Sequence, residues 1–164
     1  MKIDERAPAI ARGGIEIDAD ARVVWDVLTD IDKWPSWNPD VKRASVDGGP
    51  PLHRGSVFRW KAGPGTITST VQEIEPPRRV GWTGKTIGID AVHVWRLEGH
   101  DGHTRVQTEE SWNGLLPRLL RGPMRKTLQQ SIDSALRHLK AEAERRATGG
   151  PGPSDLDAWE RRDK

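Results

Sequence analysis

Turn residues divide the middle of this 164-residue chain into six short segments with strand character. The clearest turns are Gly63-Pro64-Gly65, Glu75-Pro76-Pro77 and Asp101-Gly102, because glycine and proline supply the backbone angles that hairpins require. The predicted strands lie near 39–46, 55–62, 66–74, 79–85, 89–98 and 104–112. This succession indicates an antiparallel sheet built from consecutive hairpins.

One long amphipathic helix is predicted after the last strand, from about Pro123 to Ala147. Proline at the first helical position loses no needed donor, whereas a helix beginning near Pro117 would be kinked at Pro123. An apolar stripe predicts that one side packs on the sheet, and it comprises Met124, Leu128, Ile132, Ala135, Leu139 and Ala143. The outer side mixes both signs of charge, which disfavours a helix lying on a membrane surface.

N-terminal to these six strands, the sequence predicts one further strand and two short helices. The alternation around Ile15 and Ile17 is typical of a strand with one buried face. Asp18 is predicted to cap a helix whose apolar positions are Ala21, Val24, Trp25 and Leu28. A second helical turn is predicted over 30–33, and Pro35 is predicted to stop it.

The predicted fold class is α+β, with a curved antiparallel sheet of about seven strands wrapped around the long C-terminal helix. A single domain is predicted over residues 1–147. Glycine and proline between Gly149 and Pro153 interrupt the helical pattern, so 148–164 is expected to be a disordered charged tail. Trp159 in this tail is either a docking anchor or an isolated aromatic residue.

Composition excludes several classes of function. The chain has no cysteine, so disulfides, thiolate chemistry and cysteine-ligated metals are ruled out. Its formal charge of +2 comes from scattered residues, which gives no basis for a nucleic-acid partner. No apolar run is long enough to cross a bilayer and no signal peptide is recognised, so a cytoplasmic protein without integral membrane association is expected. We predict no metal and no cofactor, because His53, His100 and His103 lack ligand spacing with carboxylates.

The hairpin turns allow the register of the strands to be predicted. With Asp101-Gly102 at the tip, the last hairpin pairs Glu98 with Arg105, Leu97 with Val106, Trp95 with Thr108, His93 with Glu110 and Ala91 with Trp112. This register places the charged pair on one face and the apolar residues on the other, as a buried sheet face requires. The same reasoning pairs Trp60 with Ile67, Phe58 with Ser69 and Val71 with Trp82.

One face of the predicted sheet therefore collects four of the eight tryptophans. Two interpretations are open: the indoles line a cavity for a flat, aromatic or polycyclic ligand, or they fill the core. We favour the cavity, because a curved sheet packed on a single helix leaves space to line. The candidate ligand-binding residues are Trp37, Phe58, Trp60, Ser69, Trp82, His93, Trp95, Thr108, Glu110, Trp112, Met124 and Leu128.

His93 and Glu110 are the only ionisable residues predicted on this inner face. Burial raises the pKa of a carboxyl group and lowers that of an imidazole, whereas contact between the two acts in the opposite direction. The pair either orients a ligand carbonyl or hydroxyl, acts as acid and base in an aldol-type cyclisation or dehydration, or is a satisfied structural pair. Near the start of the long helix, two interpretations are open for one apolar set: it forms a gate to the cavity, or it consists of ordinary packing residues at a helix start. The set comprises Trp37, Leu115, Leu116, Leu119 and Leu120.

Four motifs make the chain resemble the START-like, or SRPBCC, superfamily, which includes birch-pollen-allergen-like proteins and polyketide cyclase/dehydrase-type domains. They are the helix over 18–28, the segment Trp34-Pro35-Ser36-Trp37-Asn38-Pro39, Glu75-Pro76-Pro77-Arg78 before a strand, and Thr104-Arg105-Val106 leading to Glu109-Glu110. The resemblance covers roughly the first 147 residues and implies a helix-grip fold that holds an apolar ligand between sheet and helix. Only some members of this superfamily are enzymes, so the resemblance leaves function open.

Three functions are compatible with these observations. Binding of a hydrophobic small molecule without chemistry is favoured. The first alternative resembles the polyketide aromatase/cyclases, with His93 and Glu110 as acid–base pair and Trp60, Trp82, Trp95 and Trp112 orienting a chain. The absence of tyrosine and of a predicted inward arginine disfavours it. The second alternative is a protein-interaction module resembling the chaperone-activating members of the superfamily. The ligand and the oligomeric state are left open.

Overall fold

The computed structural model describes residues 1–150. Seven strands form one antiparallel sheet in the order β1-β7-β6-β5-β4-β3-β2. The strands are β1 (Ala9–Ile17), β2 (Val41–Val46), β3 (Val57–Ala62), β4 (Gly65–Glu75), β5 (Arg79–Thr86), β6 (Ile89–His100) and β7 (His103–Asn113). The helices are α1 (Ala21–Thr29), α2 (Trp34–Trp37), α3 (Leu115–Leu119) and α4 (Arg121–Ala147), with a 3₁₀ turn over Ile31–Lys33. The predicted α+β helix-grip fold is confirmed.

The predicted strand register is confirmed throughout. His93 lies opposite Glu110 and Trp95 opposite Thr108, while the two earlier hairpins pair Phe58 with Ser69 and Val71 with Trp82. Side chains alternate between the two faces of a strand, so these pairs place the predicted set on one face. Hairpin turns and the apolar pattern together were sufficient to fix this face.

Helix α4 packs across the inner face and approaches β1 closely at Gly13. A Cβ atom at that position would lie 2.7 Å from Leu136 Cδ1 and 3.0 Å from Ile132 Cγ2. Glycine therefore lets the helix come nearer to the strand than any other residue would. Leu128 and Leu139 are also fully buried, whereas Met124 and Ala135 are partly buried against the core.

The start of the long helix differs from the prediction. The chain forms the short helix α3, breaks at Leu120, and begins α4 at Arg121. Pro117 lies in α3 and Pro123 lies in the first turn of α4, where the missing N–H leaves no hydrogen bond unmade. The predicted position of Pro123 in the first turn of the long helix is therefore confirmed, and the alternative of a helix that begins near Pro117 and is kinked at Pro123 does not apply.

Two details of the N-terminal helices also differ. The residue at the start of α1 is Asp20, and its side chain makes no capping hydrogen bond. Asp18 instead lies with its Oδ1 atom 2.9 Å from His103 Nδ1, so the predicted cap is wrong. Pro35 does not stop the helical segment but lies in the first turn of α2, a position that proline tolerates.

Within residues 1–150, no helix is both long enough and apolar enough to span a membrane. The residues described include 148–150 of the predicted tail. The remainder of that tail, with Trp159, lies outside the described residues.

Candidate functional site

An aromatic cluster lies beneath α2 on the inner face of the sheet. The Trp34 ring packs edge-to-face on Phe58 and Trp60, with centroid distances of 5.7 Å and 5.6 Å. Trp82 continues the cluster, with its centroid 5.5 Å from that of Phe58 and 5.1 Å from that of His93. Edge-to-face packing is the favoured arrangement of aromatic rings, and here it fills most of the space between sheet and helix.

A cavity of about 60 Å³ remains between this cluster, α2 and the middle of α4. That volume holds about four water molecules, and it is smaller than the roughly 300–1,000 Å³ of most ligand pockets. The lining side chains come from every element around it: Leu28, Trp34, Trp37, Asn38, Asp40, Val41, Trp60, Ala62, Trp82, His93, Trp95, Glu110, Ser131, Ile132, Ala135 and Leu139.

Half of the candidate binding residues line this cavity, and the others support it from behind. The lining ones are Trp37, Trp60, Trp82, His93, Trp95 and Glu110. Ser69 accepts the Trp60 indole N–H at 3.1 Å. Phe58 and Leu128 are fully buried in the core, and Met124 packs against it. Thr108 and Trp112 contact the polar pair described below.

Several lining residues were not predicted. One of them is Trp34, which lies three positions before the predicted Trp37 on α2, and this spacing places both on one helical face. The three-residue spacing of the two tryptophans is visible in the sequence. It places them on one face only if the segment is helical, whereas Pro35 was predicted to stop the helix. Three further lining residues belong to the predicted apolar stripe of α4, namely Ile132, Ala135 and Leu139. Whether that stripe faces the cavity depends on how the helix packs on the sheet.

Two tryptophans of the cavity wall have indole N–H groups without an acceptor. Within residues 1–150, Trp37 Nε1 and Trp95 Nε1 are buried and have no hydrogen-bond partner. Trp95 is only 3% exposed. The indole N–H is a donor that is usually satisfied when it is buried. Two residues that line the cavity therefore each carry a buried hydrogen-bond donor that no acceptor within residues 1–150 satisfies.

A chain of polar contacts crosses the same wall from β7 to β6. The Trp112 indole donates to Glu110 Oε1 at 2.8 Å, and Glu110 Oε2 lies 3.4 Å from His93 Nδ1. On the other side of the imidazole, His93 Nε2 lies 2.8 Å from Thr108 Oγ1. The Thr108 hydroxyl donates to the Val94 carbonyl at 3.1 Å, so its oxygen accepts a hydrogen bond from the Nε2–H group of His93.

These polar contacts indicate which atoms of His93 and Glu110 carry protons. Because Nε2 of a neutral His93 carries the proton, its Nδ1 atom is an acceptor. Burial lowers the pKa of His93 to about 3 and raises the pKa of Glu110 to about 7, since each charged form loses hydration. The Trp112 hydrogen bond acts in the opposite direction on Glu110. A protonated Glu110 therefore faces an acceptor nitrogen, and both groups are neutral at mildly acidic pH.

The loop after α2 closes the cavity against α4. Asp40 and Ser131 both line the cavity, and the Ser134 hydroxyl donates to Asp40 Oδ2 at 2.5 Å. His138 Nδ1 lies 3.4 Å from the same hydroxyl. This serine–aspartate contact joins the two walls by side chains at the protein surface.

The predicted leucine gate does not border the cavity. Leu115, Leu119 and Leu120 are exposed, and Leu116 packs at the hairpin between β5 and β6, close to Gly88. Of the five gate residues, Trp37 alone is among the lining side chains. The chain breaks between α3 and α4 at Leu120, and none of these four leucines lines the cavity.

The sequence matches the model of one protein family, described as polyketide cyclase / dehydrase and lipid transport, over residues 9–144. The chain belongs to this family. The suspected membership in the START-like superfamily is thereby confirmed. No curated protein sequence matches the chain.

Solved structures support the fold of this family. A hypothetical protein from Helicobacter pylori is 18% identical, with a TM-score of 0.76 over 86% of this chain and 91% of that protein. The Zhui aromatase/cyclase from Streptomyces sp. R1128 is 20% identical, with a TM-score of 0.73 over 87% and 98%. A START superfamily protein from Mycobacterium smegmatis is 18% identical, with a TM-score of 0.65 over 85% and 97%.

Proposed function

We propose that the protein binds a flat, hydrophobic small molecule carrying carbonyl or similar acceptor oxygens, in the space between the sheet and α4. The observation that carries this proposal is the pair of indole N–H donors, on Trp37 and Trp95, that lack acceptors. A core of purely structural tryptophans has no reason to leave such donors unsatisfied, because each costs roughly 1–3 kcal/mol when buried.

The polar pair supports the same ligand chemistry. A neutral Glu110 is a hydrogen-bond donor, and a ligand carbonyl that enters the cavity can replace His93 Nδ1 as its acceptor. The rings of Trp60, Trp82 and Trp95 provide stacking surfaces around this donor. The site then combines an apolar wall with a few convergent donors, as small-molecule sites do.

Accepting a polycyclic ligand requires the cavity to grow beyond about 60 Å³. Movement of the loop that carries Asp40, together with Trp37, away from α4 is the opening that costs least, since a surface hydrogen bond to Ser134 joins the two walls there. The strands beneath the cavity are hydrogen-bonded to a neighbouring strand on each side, so they contribute less to its opening.

Titration with Nile red tests the proposal. We expect saturable binding with enhanced dye fluorescence, and displacement of the dye by a flat hydroxyketone such as 1-hydroxyanthraquinone. Native mass spectrometry of freshly purified protein is expected to show a copurified mass that the same competitor removes. Absence of displaceable dye binding together with bare protein in the mass spectrum would contradict the proposal.

Replacing Ser134 by alanine is expected to speed dye association. Loss of the bond to Asp40 removes about 1 kcal/mol from the closed state, so the association rate should rise by about fivefold. Stopped-flow fluorescence with Nile red measures this rate. The matched control is Ser36→Ala, whose hydroxyl bonds only to the nearby Lys33 carbonyl. An equal rate change in both variants would argue against opening between the Asp40 loop and α4.

A second candidate function is catalysis by the same site. It is favoured by one observation, the contact between the donor Glu110 and the acceptor His93 Nδ1 at 3.4 Å. In a cyclisation with dehydration, Glu110 would protonate the leaving hydroxyl and His93 would accept the proton removed from carbon. Turnover of a poly-β-ketone substrate mimic to a dehydrated ring, lost in Glu110→Gln, would establish this function over binding alone.

A further inference from the structure

All large hydrophobic side chains that are exposed within residues 1–150 lie in one place. They are Ile87, Leu115, Leu119 and Leu120, with exposed fractions of 88%, 65%, 70% and 47%. Ile87 is at the turn between β5 and β6, and the leucines belong to α3 and the residue after it. We call this set the aliphatic patch. Exposed apolar residues that are gathered at one site commonly mark an interaction surface.

The two parts of the patch are held together by direct contacts. The Leu116 backbone N–H donates to the Gly88 carbonyl at 3.2 Å, and a Cβ atom on Gly88 would lie 2.9 Å from Leu116 Cγ. The hairpin turn and α3 therefore form one continuous surface, with Leu116 packed between them. Ile87 and the three exposed leucines project from that surface without a covering element among residues 1–150.

The charges along α3 and the first turns of α4 have a single sign, whereas the β5–β6 turn beside Ile87 carries Lys85 paired with Asp90. From 111 to 132 the sequence contains Arg118, Arg121, Arg125 and Lys126 and no acidic residue. All four residues are exposed, and none forms an ion pair with a carboxylate of residues 1–150. Arg125 Nε donates to the Pro8 carbonyl at 2.9 Å. The mixed charges expected on the outer face of α4 begin only at Asp133.

We infer that this surface docks on an anionic lipid bilayer, with the aliphatic patch entering the headgroup region and Arg118, Arg121 and Lys126 contacting lipid phosphates. Aliphatic side chains beside a basic rim are the composition of membrane-surface segments. A protein partner fits less well, because protein interfaces depend on aromatic anchors and leucine is under-represented among their hot spots. This docking is independent of the cavity and of its ligand.

Vesicle flotation of the full chain tests the inference. We expect binding to vesicles of phosphatidylcholine and phosphatidylglycerol at a three-to-one ratio, and no binding to phosphatidylcholine alone. Binding should weaken as salt increases, since screening reduces the attraction of basic residues to the surface. Failure to bind the anionic vesicles at low salt would overturn the inference.

Two double variants separate the contributions. Arg118→Gln with Arg121→Gln is expected to weaken binding by about tenfold or more, whereas the matched removal of two exposed charges from β2, Lys42→Gln with Arg43→Gln, should change it little. Ile87→Ser with Leu119→Ser should weaken it by about tenfold as well. All these side chains are exposed, so equal unfolding temperatures are expected and serve as the check on folding.

Each alternative has its own outcome. Full binding by the Ile87→Ser, Leu119→Ser protein would show that charge alone is recognised, as by an acidic protein surface, and would overturn lipid docking. Equal weakening by the two charge variants would indicate a response to net charge rather than to this surface, and would also overturn it.

Discussion

Glu110→Gln is expected to make the protein more stable than the wild type at neutral pH and about equally stable at pH 4.5. Glutamine keeps the shape, accepts from Trp112 and can donate to His93 Nδ1, so it imitates the protonated acid. In the wild type the pKa of Glu110 rises from 4.5 in the unfolded chain to about 7 in the fold. The stability that the fold gains from holding this carboxyl group in its protonated form is fully present below pH 4.5. It is lost as pH rises through about 7.

The difference between the two pKa values corresponds to about 3 kcal/mol of unfolding free energy, which is an order-of-magnitude figure. The stability of Glu110→Gln relative to the wild type should grow by this amount between pH 4.5 and 8. Urea unfolding followed by tryptophan fluorescence at several pH values measures it. A stability difference that stays constant with pH would contradict burial of a neutral acid.

Two internal comparisons make the sign of this effect distinctive. Glu142, which forms ion pairs with Arg145 and Arg146, has a lowered pKa because of those hydrogen bonds. Glu142→Gln should therefore be less stable than the wild type at neutral pH, and the difference should shrink on acidification.

His93 opposes Glu110 in the wild type, because its pKa falls from 6.5 to about 3. Its contribution to stability is present above pH 6.5 and is lost as pH falls toward 3.

The inner face of the sheet was predictable because its pattern has a period of two and its turns are short. Pairing His93 with Glu110 needed only the position of the Asp101-Gly102 turn and the requirement that Glu98 and Arg105 face solvent. The element order also followed from turn and helix signals. Family membership over residues 9–144 agrees with that order.

Positions set by helix packing were not predictable in the same way. The break at Leu120 depends on α3 packing against the β5–β6 turn, a contact between residues almost thirty positions apart. The central place of Trp34 depends on α2 forming around Pro35. Local signals at Pro35 and Pro123 are weak compared with tertiary packing, which decides where short helices begin and end.

The size of the cavity depends on side-chain packing that no register argument supplies. Four tryptophans on one face are compatible with a wide pocket or with a filled core, and the structure lies near the second with about 60 Å³ left open. The buried indole N–H groups of Trp37 and Trp95, which have no acceptor within residues 1–150, are a second feature of this kind. They could be recognised only from coordinates.

Ala135→Phe is expected to weaken Nile red binding by about a hundredfold, equivalent to about 3 kcal/mol. Ala135 lines the cavity from α4 and is partly buried, so a phenyl ring at this position would occupy the space between Trp37 and the sheet. The matched control is Ala141→Phe, which adds the same ring on an exposed position of the same helix. Dye titration of both variants gives the comparison, and thermal unfolding checks that each is folded.

If the phenyl ring proves too large to fold, Ser131→Val fills the same space with a smaller side chain and should weaken binding in the same direction. Ser131 also lines the cavity, one turn before Ala135 on α4. Wild-type affinity in a folded Ala135→Phe protein would place the dye outside this cavity, and the two unsatisfied indoles would then need another explanation. Loss of affinity in both cavity variants but not in Ala141→Phe would locate the ligand between α2, α4 and the tryptophan face of the sheet.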